Sequence, residues 1–195
     1  MARALRTLLL LSAAALLAGC GVNNVPTYDE QVKAAWSEVL NQYQRRTDLV
    51  PNLIATVKGY AAQEEKVLTE VTEARASVGR LQLPADVLSN PEAFKQFQAS
   101  QQALSGALSR LLAVAEAYPD LKSNENFLAL QSQLEGTENR IAIARRDHIA
   151  AVQLYNTELR TFPGRWWAGM LYPDAKVRET FTIEEQAQAV PKVGF

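Results

Sequence analysis

The sequence predicts an all-α protein: an antiparallel four-helix bundle with long helices and an irregular C-terminal tail. Three observations predict it. Ala, Leu, Gln and Glu are abundant, while Gly and Pro number only 9 and 8 in 195 residues, which favours helices over sheets. The stretch from Ser123 to Thr161 contains no Pro and a single Gly, Gly136, so nothing in it stops a helix. Within it Phe127, Leu130, Leu134, Ile141, Ile149, Val152, Tyr155 and Leu159 recur at steps of three and four or their multiples. They form one apolar stripe that must be buried against partners.

The chain opens with a targeting segment, residues 1–19. Arg3 and Arg6 precede an apolar run from Leu8 to Leu17 that is too short to span a bilayer comfortably. Leu17-Ala18-Gly19-Cys20 ends it and resembles a bacterial lipobox. The resemblance implies cleavage before Cys20 and acylation of its sulfur, with an ordinary signal peptide as the alternative. Gly21 after the Cys, rather than Asp, favours the outer membrane facing the periplasm by resemblance to Gram-negative sorting. Residues 20–26 form a lipidated tether.

The bundle is expected over residues 27–162. Thr27 and Glu30 fit a capping box, and Val32, Trp36, Val39, Leu40 and Tyr43 follow on one face. Arg45 and Arg46 suit a last helical turn. Asp48 suits an N-cap, with Pro51 in the first turn that follows. One long helix kinked at Pro51 is the alternative. The fold-back near Thr47 is adopted because an unbroken helix would leave Trp36, Leu40 and Tyr43 overhanging without a partner. Val50 to Val78 continues the apolar face. Asn90 and Pro91 open the third helix as N-cap and N1, and it ends at Tyr118-Pro119. The crossover 80–89 carries Leu81, Leu83, Val87 and Leu88. Phe162-Pro163-Gly164 stops the last helix, and residues 163–195 are the tail, packed on the bundle or the membrane.

These residues resemble the LemA family. Arg45-Arg46-Thr47-Asp48-Leu49-Val50-Pro51-Asn52-Leu53 is close to that family's Arg-Arg-x-Asp-Leu-Ile-Pro-Asn-Leu. A second match runs from Tyr118-Pro119-Asp120-Leu121-Lys122 through Asn124, Phe127 and Leu130-Gln131 to Thr137-Glu138-Asn139-Arg140-Ile141 and Arg145. Tyr155-Asn156, Phe162-Pro163, Phe181 and Pro191-Lys192-Val193-Gly194-Phe195 extend it across nearly all the mature chain. His148-Ile149 departs from the family's usual Tyr-Asn. The resemblance implies a membrane-associated helical bundle, linked to membrane quality control and heat-shock metallopeptidases as a partner and not as a catalyst.

Several chemistries lack their residues. Charges nearly cancel, 20 basic against 21 acidic, with no basic stripe, so nucleic acid is not an expected partner. With one Cys and one His the chain cannot form an internal disulfide or a Cys/His metal cluster. A di-metal bundle uses Glu-x-x-His motifs, and no Glu lies three residues before His148, which reads as a partly buried or surface side chain. No nucleophile elbow or Gly-rich phosphate loop is present. The sequence therefore predicts no enzyme and no cofactor.

The polar set Arg45, Asp48, Asn52, Glu138 and Arg145 is a candidate structural network. Asp48 and Asn52 share a helix face, as do Glu138 and Arg145. Pairing across the bundle would fix register, with a solvated face plus an N-cap as the alternative. Trp166 and Trp167 are candidates for contact with the membrane or a partner, or for capping the core against Leu81, Leu83 and Val87. The expected function is a membrane-anchored interaction or scaffold role with a protein partner in the envelope. The alternative is an envelope-stress adaptor or regulator of a membrane metallopeptidase.

Overall fold

The computed structural model describes residues 21–182. Residues 1–20, with the signal segment and Cys20, and residues 183–195, with the family-like ending, lie outside the described residues. Four long helices dominate: α1 (Asn24–Tyr60), α2 (Glu65–Arg80), α3 (Pro91–Ala115) and α5 (Glu125–Glu158). A 3-10 turn (Val87–Ser89) lies in the α2–α3 crossover, α4 (Pro119–Lys122) is a single turn before α5, and α6 (Gly164–Leu171) follows it. No strand occurs among the described residues. None of the described helices is long and apolar enough to cross a membrane.

The two longest helices, α1 and α5, lie antiparallel along their whole lengths. Asn24 at the start of α1 donates to Glu158 at the end of α5. At the other end Asn124, the N-cap of α5, donates to Tyr60. The buried stripe of α1 is Val32, Trp36, Val39, Tyr43, Arg46, Val50, Leu53 and Val57. Its alternating steps of four and three make the narrow seam of a left-handed pair. The shorter α2 and α3 complete the bundle, with Arg110 of α3 paired to Glu70 of α2 at 2.9 Å.

The fold-back is at Ala61–Glu64, and the expected turn near Thr47 does not exist. Helix α1 runs unbroken through Pro51. The overhang that motivated the turn disappears because α1 pairs with α5, 37 residues against 34, rather than with the short α2. At 1.5 Å per residue these are matched rods of about 55 and 51 Å. The expected Thr27 cap is also displaced. The helix begins at Asn24, and the amide of Thr27 bonds the carbonyl of Asn23. Asn90 and Pro91 do open α3, and the Asn90 side chain accepts from the Ala93 amide. The tail is not wholly irregular, since it contains α6.

Pro51 has no N–H, so the carbonyl of Thr47 loses its ordinary helical partner. The side chain of Arg75, reaching from α2, donates to that oxygen through Nε at 3.3 Å. The missing hydrogen bond is thus replaced from a neighbouring helix. Pro51 itself is exposed, so Ala fits there without repacking. Pro51→Ala is expected to raise the unfolding free energy by about 1–3 kcal/mol, as for a proline removed from a helix interior. The check is a urea melt: an unchanged or lowered midpoint would contradict a continuous helix at this position.

Candidate functional site: a buried arginine layer and the cleft beside it

The bundle has two apolar cores rather than one. The first gathers Trp36, Val39, Tyr43, Phe94, Phe97, Ile141, Val152, Tyr155 and Phe181. The second gathers Val50, Leu53, Val57, Val71, Leu104, Leu111, Phe127 and Leu134. Between them α1, α3 and α5 each contribute polar residues at the same level: Arg46 and Thr47, Gln101 and Ser105, Thr137 and Glu138.

Arg46 is the centre of this layer. Its side chain is 1% exposed. Nη1 donates to Ser105 Oγ at 2.6 Å and to Glu138 Oε1 at 3.1 Å. Nη2 donates to the carbonyl of Gln101 at 3.2 Å and to its Oε1 at 2.7 Å. The guanidinium also sits over the Tyr43 ring, 4.9 Å from its centroid. A buried charge is tolerated only when its donors are met and its charge is balanced. Four bonds and one carboxylate do this, leaving only Nε without a partner. Glu138 keeps 43% of its side chain exposed, so the pair is anchored inside and solvated outside.

The predicted network therefore forms around a different residue. Glu138 takes part in it. Arg45, Asp48 and Asn52 are all exposed, and Asp48 accepts from Gln44 one turn earlier instead of capping a helix. Arg45 and Arg46 lie mid-helix, not in a last turn. Arg145 is half-buried beside the layer, with its guanidinium 4.6 Å from the Phe181 ring centroid.

A cleft of about 660 Å³ opens next to the layer, between α3 and the segment after α6. Tyr43, Phe94, Gln101, Arg145 and Phe181 form its inner wall, with Lys95 and Glu179 at its edge. The segment that closes it is pinned at four places. Arg178 donates through Nε to Asp29 on α1 at 3.0 Å. Asn156 on α5 donates to the Arg178 carbonyl at 2.9 Å and accepts from its amide at 2.8 Å. The Glu179 amide donates to the Leu88 carbonyl, and Phe181 enters the first core. Burial alone would raise the Asp29 carboxyl, but hydrogen bonds from Lys33 and Arg178 outweigh it and hold its pKa below the ordinary value.

His148 is a residue the sequence reading misplaced. It is 0% exposed, whereas its neighbour Ile149, assigned to the buried stripe, is exposed. The imidazole lies among Trp36, Phe94 and Phe181, with ring centroids at 5.4, 6.3 and 5.5 Å. Neither ring nitrogen has a hydrogen-bond partner. Burial pushes its pKa down to about 4, so it is neutral at pH 7. Among the described residues no group of three or more His, Cys, Asp or Glu is placed to hold a metal ion.

Trp166 and Trp167 separate. Trp166 is 63% exposed. Trp167 is half-buried, with Nε1 enclosed.

A family model described as the LemA family matches residues 35–195. Magnetosome proteins MamQ 1 and MamQ 2 of Paramagnetospirillum magneticum are each 26% identical over 162 residues, covering 75% of this chain and 60% of theirs. Magnetosome protein MamQ of Magnetospirillum gryphiswaldense is 25% identical over 151 residues, covering 69% of this chain and 55% of its own. The chain thus spans less than two thirds of the length of these relatives.

Two outcomes are expected. Arg46→Ala strands Gln101 and opens a cavity, and it should destabilise the fold by about 2–4 kcal/mol, while Asp48→Ala and Asn52→Ala stay within about 0.5 kcal/mol of the parent. Urea melts of the three variants decide this. For His148 the folded pKa lies below the unfolded value of about 6.5, so the unfolded chain binds the proton more readily. Its contribution is complete above that value and is lost as pH falls toward about 4. Melting the parent and His148→Phe between these limits should show a steeper acid loss in the parent, and parallel curves would contradict it.

Proposed function

This chain belongs to the LemA family, and on that premise we propose that it is a lipid-anchored, non-enzymatic scaffold of the cell envelope. The anchor is the acylated Cys20, and the outer membrane facing the periplasm is the favoured location. The bundle holds a protein partner and carries out no reaction.

One observation carries the reading. The lipobox-like Leu17-Ala18-Gly19-Cys20 stands only a few residues before α1, which begins at Asn24, so a lipid on Cys20 would lie close to the bundle. The polar groups inside the bundle also support it. Arg46 is occupied by structural bonds, and His148 is closed off by aromatic rings. The cleft beside Phe181 offers aromatic and cationic side chains that suit a segment of another protein. The relatives are named magnetosome proteins, which is compatible with a scaffold role here. A regulator of a membrane metallopeptidase would use the same anchor and cleft. Capture from envelope fractions distinguishes the two by whether a peptidase or a structural protein is retained.

Cys20→Ser tests the anchor. The variant should accumulate as uncut precursor or leave the membrane fraction, while the parent yields a mature protein beginning at Cys20 with lipid mass attached. Processing and membrane retention identical to the parent would overturn the lipoprotein reading.

A further inference from the structure

Helix α6 exposes a contiguous apolar face. Trp166 and Met170 are one turn apart and are 63% and 73% exposed, and Leu171 beside them is 53% exposed. Phe162, 65% exposed, extends the face, its ring meeting Trp166 edge-on at 5.1 Å. The opposite side of the helix is satisfied, since Ala168 packs on the first core. Single exposed apolar side chains are ordinary, but four together at one end of a bundle call for a partner.

The position of the chain's entry identifies that partner. Gly21 lies against the start of α6: a Cβ on it would sit 3.6 Å from Pro163 Cγ. Asn24 then ties this end to Glu158. Gly164 fits against Glu158 only because it has no side chain, as a Cβ there would clash with the Glu158 carbonyl. Cys20 is one residue back, about 3.8 Å of chain. The exposed face and the anchoring residue therefore share one corner of the molecule. Arg160 and Arg165, both exposed, flank the face with charges suited to lipid phosphate. Four side chains fall well short of the roughly 800 Å² per partner that a stable pair of copies requires.

We infer that Phe162, Trp166, Met170 and Leu171 seat on the headgroup layer of the bilayer that holds the Cys20 lipid. The proposal rests on the anchored reading above and adds which face of the body meets the membrane. Indole favours this layer because the ring is apolar and its N–H is polar. Two attachments, the lipid and the helix face, hold α1 and α5 in one orientation, with the turn at Ala61–Glu64 at the far end. The lipid alone would leave the body free to swivel.

The test uses full-length lipidated protein in vesicles of phosphatidylcholine and phosphatidylglycerol. Bromine is carried near the headgroup end of the acyl chains in one set and absent from the other. Trp36 and Trp167 serve as internal references, being buried and half-buried. Brominated lipid should dim the parent, and Trp166→Phe should abolish the dimming without altering flotation or melting. A parent that floats with the vesicles yet keeps its emission overturns the proposal while leaving the anchor intact. The same emission with cross-linked copies at the vesicle surface reassigns the face to self-association and also overturns it. A parent that fails to float overturns the anchor, and the proposal with it.

Discussion

The burial of Arg46 is the constraint on which the rest of the bundle depends. A guanidinium in a helix seam has to find acceptors at one height on two other helices. Gln101 and Ser105 on α3 and Glu138 on α5 supply them. A slide of either helix by one turn would separate these groups by about 5.4 Å and leave a charge stranded. Apolar seams alone tolerate such slips, because one Val or Leu replaces another at similar cost. The layer divides the interior into two apolar cores and fixes how α1, α3 and α5 align.

The segment after α6 finishes the first core. Three helices leave Trp36, Phe94 and His148 open on one side, and Phe181 covers them. Entry of this ring is enforced by polar bonds outside the core. Arg178 meets Asp29, and the Asn156 side chain takes both backbone groups of Arg178. The paired bonds from Asn156 imitate one rung of a sheet, so a segment without regular structure is still held in register. The cleft beside the arginine layer lies between this segment and α3.

The two ends of the bundle differ in character. One end carries the chain's entry, the exposed face of α6 and the pinned segment. The other is a polar turn fastened by Gln63, Glu64 and Tyr118. A bundle with one apolar end and one polar end has an inherent direction.

The helical class, the cap at Asn90 and the last long helix were legible in the sequence because they rest on local patterns: a 3.5-residue stripe, an Asn-Pro start and a lack of breakers. The stripe on α1 also ran through Arg46 and past Pro51, but the turn inferred near Thr47 cut it and moved the network to Arg45 and Asp48. A proline and an Asp are weak local evidence beside a length match between α1 and α5, and that match is a property of the pair. The same holds for His148. The stripe was read through Ile149 instead, and the aromatic rings that enclose His148 come from α1, α3 and the tail. By itself, then, the sequence determined the helical class and most of the apolar stripes. The tertiary structure decided which helices pair, which arginine is buried and which tryptophan is exposed, because those depend on groups far apart in the chain arriving at one height.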